Sequence, residues 1–260
     1  MLKRILTSIV ALIVLAVVLI SPPVVFTIAL ALVILVMLYE CYCATGADKA
    51  TSTVGFISGI IMMAAAMIDV TLVIAAIAVT VLIYMGLVVF KHGEKDYKEI
   101  LSNGFLTIYI VLSMGCVWYA KELYGMLTML MIFICAWVCD TFAYFTGSFI
   151  GRHKLIPHVS PKKTIEGSIG GIIGSVLVCG AYALAIDKSI ANVVIFAIFG
   201  LVGSICSQIG DLSASAIKRD AGIKDFGWIF PGHGGFMDRF DSVMYIAPIL
   251  HIIMIIATVI

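Results

Sequence analysis

Residues 210–242 read GDLSASAIKRDAGIKDFGWIFPGHGGFMDRFDS. Five of the chain's fifteen acidic residues lie here, Asp211, Asp220, Asp225, Asp238 and Asp241, with Lys218, Arg219, Lys224 and Arg239 interleaved. Pro231-Gly232-His233-Gly234-Gly235 forces a turn in the middle. Long apolar sequence flanks the stretch on both sides. A chain that is 63% hydrophobic and 12% charged does not set so many ions beside apolar helices without a chemical reason. The stretch reads as a cation and phosphate site at a membrane surface.

Composition fixes the solvent. A soluble domain carries about a quarter charged residues, and this chain has half that share with a mean hydropathy of +1.19, so its solvent is lipid. Runs of about 20 apolar residues, the length that crosses a bilayer, recur along its whole length. The expected fold is all-α, a polytopic integral membrane protein with about nine transmembrane helices. They are expected near 5–20, 24–40, 50–68, 70–90, 100–120, 123–149, 165–186, 190–217 and 236–260. The first follows Lys3-Arg4 as a signal peptide would, but Ser21-Pro22-Pro23 is a poor cleavage site and another span follows at once, so it stays a transmembrane helix.

With the amino terminus inside, fourteen of the sixteen lysines and arginines fall on inner segments, and only Lys121 and Lys188 fall outside. That bias orients membrane proteins. The expectation is a multi-pass protein of the cell (inner) membrane with a cytoplasmic amino terminus, built as one integrated membrane domain. Residues 1–120 supply scaffold helices, and 121–260 supply the catalytic region with its cytoplasmic loops. The first four helices are nearly free of ions and are assigned no chemistry. A net charge of +1 argues against a nucleic-acid partner. The seven cysteines include no C-x-x-C pair and read as small apolar residues rather than disulfide or zinc ligands.

Chemistry concentrates in the carboxy-terminal half. Asp140, Tyr144, Gly147 and Gly151 share one helical face, which suggests that something approaches closely; the plainer alternative is an acid snorkelling toward water. Ser160-Pro161-Lys162-Lys163-Thr164 sets two ammonium groups before a helix start, which itself favours anions. Thr164 reads equally as the cap of that helix. Gly167/Gly171 and Gly170/Gly174 form small-xxx-small pairs that permit close helix packing. Asp211, Ser215 and Lys218 form one stripe, while Asp238 and Asp241 share a face of the last helix. The turn at 231–235 could fold that helix back and bring Asp211 and Asp238 together across 27 residues. Two converging carboxylates repel unless a cation sits between them, and oxygen-only ligands suit Mg²⁺. Lys162, Lys163, Lys218, Arg219, Lys224 and Arg239 outnumber the acids, an excess that a polyanionic substrate would neutralise. Metal, cationic clamps and a glycine-rich turn fit phosphoryl or nucleotidyl transfer. No G-x-S-x-G or Cys/His arrangement supports a hydrolase, and an isolated His233 is more often structural than catalytic.

The residues also carry a resemblance. Ser215-x-Ile217-Lys218-Arg219, four residues, then Lys224-Asp225-x-Gly227-x-x-Phe230-Pro231-x-His233-Gly234-Gly235-Phe236-x-Asp238-Arg239-Phe240-Asp241 resembles the full signature of the CDP-diacylglycerol synthases, or phosphatidate cytidylyltransferases. Asp140-Thr141-x-Ala143-Tyr144-x-x-Gly147 and Ser160-Pro161-Lys162-Lys163-Thr164-x-Glu166-Gly167 are similar to that family too, whereas the amino-terminal half matches only as a run of apolar helices. The resemblance implies a phospholipid-synthesis enzyme that joins CTP to phosphatidic acid, giving CDP-diacylglycerol and pyrophosphate, with Mg²⁺ and a second, monovalent cation such as K⁺. It implies Asp211 and Asp238 as the main metal ligands with Asp241 beside them. Lys218, Arg219, Lys224 and Arg239 would hold phosphates, with Lys162 and Lys163. Asp140 would form a polar wall, and Asp225 and His233 join the candidate catalytic set through the signature. The expected partners are CTP, phosphatidic acid and the bilayer, with a homodimer as the candidate assembly. Two rivals remain: a CTP-dependent polyprenol or lipid kinase, which would release CDP, and a membrane transporter. The gathering of ions at one membrane face rather than at midplane disfavours the transporter.

Overall fold

The computed structural model describes residues 2–230, 232 and 234–259. Eight helices and one hairpin follow in order: α1 (Leu2–Ile20), α2 (Pro23–Thr45), α3 (Lys49–Ala66), α4 (Val70–Phe90), α5 (Tyr97–Ile150), β1 (Lys154–Ile156), β2 (Ser160–Thr164), α6 (Ile165–Ile186), α7 (Ile190–Asp220) and α8 (Met237–Val259). Among the described residues seven helices are long and apolar enough to cross a membrane: α2 through α8. The protein is therefore a helical, polytopic membrane protein, as the hydropathy requires.

Local chemistry sets the boundaries. Pro23 opens α2 at a position that needs no N–H donor. Asp48 and Asp69 start α3 and α4 by accepting from Thr51 N at 3.1 Å and Thr71 N at 2.7 Å. The near-absence of a loop between α3 and α4 is thus resolved by a cap at Asp69. Thr164 starts α6 as expected, its Oγ1 accepting from Gly167 N at 3.1 Å. The spans expected near 100–120 and 123–149 instead form one 54-residue element, α5, interrupted at Gly125 (φ 81°, ψ 169°). That conformation is open essentially to glycine alone, so α5 is two helical pieces joined at a break. The sequence reading also placed no strand between 150 and 164. β1 and β2 pair antiparallel there, Lys154 opposite Thr164 and Ile156 opposite Ser160.

Contacts gather the chain into two compact units, Met1–Gly115 with Ala221–Asp238, and Cys116–Asp220 with Arg239–Ile260. In the first, a buried polar network ties the helices. Tyr42 Oη lies 2.6 Å and Tyr84 Oη 3.2 Å from Thr107 Oγ1, and Tyr84 Oη donates to the Thr51 carbonyl at 3.3 Å. Glycines hold the second unit together. An ideal Cβ at Gly167 or Gly171 would stand 2.7 Å from the Ala143 carbonyl oxygen or 2.9 Å from that of Cys139, and one at Gly200 would stand 2.6 Å from the Ser175 carbonyl. The small-residue pairs of α6 therefore do bring backbones into contact. All seven cysteines are free thiols; Cys41, Cys135, Cys139 and Cys179 are buried, as their apolar reading anticipates, whereas Cys116 and Cys206 are half-buried and Cys43 is exposed.

Candidate functional site

The second unit assembles a charged cluster from four elements. Gly210 on α7 is the pivot: an ideal Cβ there would stand 2.6 Å from the Asp241 carbonyl oxygen and 2.9 Å from the Tyr245 ring. Only a bare Cα lets α8 approach so closely, and Ser242 Oγ reinforces the contact by donating to the Ser207 carbonyl at 3.2 Å. The next residue, Asp211, is thereby brought beside Asp241, and the two carboxylates act on each other electrostatically. Asp140, from α5, feels the charges of Asp211, Lys163 and Arg239, and Asp241 feels those of Asp140 and Lys218. Lys163 Nζ pairs with Asp211 Oδ2 at 2.6 Å, and Ser215 Oγ donates to Asp211 Oδ1 at 3.3 Å. The i, i+4 step of the expected stripe is thus a real contact. Lys218 is 9% exposed.

The hairpin separates two residues that the sequence reading kept together. Successive strand residues face opposite ways, so half-buried Lys163 turns to Asp211 while Lys162 is exposed. Glu166 anchors the start of this hairpin. Its carboxylate accepts from Arg152 N at 3.1 Å and His153 N at 3.2 Å, and lies 2.6 Å from His153 Nδ1. On the face shared with Asp140, Gly147 and Gly151 pack against Thr164, whose Oγ1 lies 2.8 and 2.7 Å from their ideal Cβ positions.

The rest of the signature belongs largely to the first unit. Lys224 and Asp225 are exposed, as are Arg219 at the end of α7 and Arg239 in the first turn of α8. His233 lies outside the described residues. Gly232 (φ 79°) and Gly234 (φ 86°) take left-handed conformations, and Phe230 N donates to the Gly234 carbonyl at 2.9 Å. At the described positions of the turn expected at 231–235, Gly232 and Gly234 are there for backbone reasons. Asp238, 7% exposed, accepts through Oδ2 from Phe226 N at 2.8 Å and Gly235 N at 2.9 Å.

Sequence reasoning missed Glu40. This acid of α2 is 3% exposed and accepts from Phe236 N at 3.1 Å through Oε1 and from Met237 N at 2.8 Å through Oε2. The available signal was a lone carboxylate inside an apolar helix.

Among the described residues no group of three or more His, Cys, Asp or Glu side chains forms a ready ligand set. The acids of the cluster, Asp140, Asp211 and Asp241, nevertheless offer oxygen donors, and Asp211 already pairs with the Lys163 ammonium. This fits Mg²⁺, which takes one or two carboxylates and completes its shell with water and substrate phosphates. It does not fit zinc.

Comparison with known proteins places the chain in a family. The model of the cytidylyltransferase family matches residues 2–257. Proteins named phosphatidate cytidylyltransferase from Staphylococcus haemolyticus (strain JCSC1435) and Staphylococcus aureus (strain COL) are each 44% identical over 137 residues, and one from Staphylococcus epidermidis is 43% identical. In each case the match covers 53% of this chain and 52% of the relative. The chain thus spans about half the length of the curated relatives it matches.

Proposed function

We propose, from the premise that this chain belongs to the cytidylyltransferase family, that it joins CTP to phosphatidic acid, releasing pyrophosphate and leaving CDP-diacylglycerol in the bilayer. The observation that carries this reading is the cluster in which Lys163 meets Asp211 at 2.6 Å while Asp140, Asp241, Lys218 and Arg239 share the same field. Alternating fixed charges of this kind stabilise the charge that moves during phosphoryl and nucleotidyl transfer.

A phosphatidate oxygen attacks the α-phosphorus of CTP. One P–O bond forms as the bond to pyrophosphate breaks, and the leaving group takes the bonding pair. A phosphate monoester has a second pKa near 6, so this nucleophile is largely ionised at neutral pH and needs no general base. The chain's work is positioning and charge neutralisation. Lys163, Lys218 and Arg239 hold phosphate oxygens, Asp140 walls the cluster, and the exposed Lys162, Arg219 and Lys224 meet the arriving polyanions. Mg²⁺ would be held by Asp211 and Asp241 together with substrate oxygens and water, and would supply neutralisation of the departing pyrophosphate. Asp238 as a ligand rests on the sequence reading and the resemblance, and the roles of Asp225 and His233 and a monovalent cation such as K⁺ rest on the resemblance alone.

We read the chain as nine spans in the cell membrane with the amino terminus inside. A straight 54-residue helix would run about 80 Å, far beyond a hydrocarbon core of about 30 Å. The break at Gly125 therefore divides α5 into two crossings, and α1 supplies the ninth. The lysine and arginine asymmetry supports the orientation.

Purified protein given labelled CTP, Mg²⁺ and phosphatidic acid should yield a lipid-linked cytidine nucleotide and pyrophosphate, and chelation of Mg²⁺ should stop it. Appearance of CDP with a newly phosphorylated lipid would replace this reading with a lipid kinase.

A further inference from the structure

We infer that Glu40 is a positioning residue for the signature segment 226–237, acting through the backbone rather than on substrate. The inference rests on the transfer reading above for its catalytic consequence, but its structural content stands on geometry alone.

Both carboxylate oxygens of Glu40 are committed to backbone donors, Phe236 N and Met237 N. These are donors at the opening of α8, where the first N–H groups of a helix have no partner within it. Ordinarily a side chain close in sequence caps such donors; here the acceptor stands 196 and 197 residues away. Asp238 holds the other side of the same segment through Phe226 N and Gly235 N. Two buried acids thus fix four backbone N–H groups between 226 and 237. The fit around Glu40 is close enough that Gly227 and Gly235 both lie against its carboxylate, and a Cβ on either would collide with it. With Glu40 held in this position, a side chain at either signature position would have to displace its carboxylate.

A direct catalytic role does not fit. With 3% exposure and both oxygens turned to backbone donors, Glu40 is shut off from the surface, where a proton, a metal or a phosphate would arrive. A packing role does not fit either, because Glu40 is a buried acid set in the field of a second buried acid, Asp238. Placing them together costs free energy that a neutral side chain of the same size would avoid. What a carboxylate has and an amide lacks is two acceptors, and two donors face it.

The full chain in lipid nanodiscs provides the test, with Glu40→Gln as an isosteric variant and Glu40→Asp as a shortened one. Hydrogen exchange of residues 226–237 should rise in both while exchange in α6 and α7 stays at the wild-type level. Cytidylyl transfer should fall about 10- to 100-fold, the range for groups that orient others, with the loss in kcat rather than in KM for CTP. A Glu40→Gln protein matching the wild type in exchange and in kcat would overturn the inference. So would rapid exchange of the Phe236 and Met237 amides in the wild type, which decides the matter even if both variants misfold. If the wild type transfers no cytidylyl group, the functional reading fails on its own while exchange still decides the role of Glu40.

Discussion

Asp211 and Lys163 form an ion pair whose side chains keep 30% and 25% of their exposure. Partly exposed pairs of this kind contribute about 0–1 kcal/mol to stability, so the pair's value lies in where it holds charge. Asp211→Asn should therefore cost less than about 1 kcal/mol in thermal unfolding and yet lower kcat roughly 100-fold or more, the scale on which one lost electrostatic stabiliser is felt. Near-normal turnover would remove Asp211 from the proposed metal site. Glu166 offers a milder case, since the donors it gathers at Arg152 and His153 are exposed and water can replace it there. Glu166→Ala should leave unfolding almost unchanged while raising KM for CTP several-fold, because the hairpin that carries Lys163 loses its anchor; an unaltered KM would detach the hairpin from nucleotide binding. Residues whose partners are near in sequence were legible in advance: Thr164 caps α6 by reaching three residues ahead to Gly167 N, and Ser215 bonds one turn back to Asp211. Glu40 was not legible, because its donors are almost two hundred residues distant and no local pattern records them.

Elements follow the same division. Hydrophobic runs gave α6 and α7 their place because a span of lipid-facing residues is a long, strong signal, and the glycines of α6 announced close packing through their spacing alone. The hairpin stayed hidden. Ser160-Pro161-Lys162-Lys163-Thr164 has neither the length nor the β-branched content of a recognisable strand, and its pairing depends on Glu166 holding the opposite end. Close packing between elements carries its own prediction. A methyl group at Gly200 would press on the Ser175 backbone, with carbonyl oxygen and carbon at 2.6 and 2.9 Å, and backbone cannot step aside as a side chain can. Gly200→Ala should therefore destabilise by about 1–3 kcal/mol. Gly86→Ala, which meets nothing within 4 Å, should cause no loss. Equal melting temperatures for the two variants would mean that α6 and α7 are free to separate.

At the scale of the molecule, the proposed nine spans with an inner amino terminus would place residues 150–164 inside and the Asp187-Lys188 turn outside. In a cysteine-free background, His158→Cys should react with an impermeant maleimide only in inside-out vesicles, and Lys188→Cys only in right-side-out cells. The opposite pattern would invert the orientation. The division of the chain itself has a further consequence. Residues 1–115 and 221–238 form one compact unit although the whole of 116–220 lies between them in sequence, and Glu40 binds the second stretch to the first. The two stretches are thus heritable only as a pair. Recombinants between diverged relatives should tolerate crossovers that keep both from one parent and reject those that draw them from different parents, so the least conspicuous helices of the chain restrict how its most distinctive sequence can evolve.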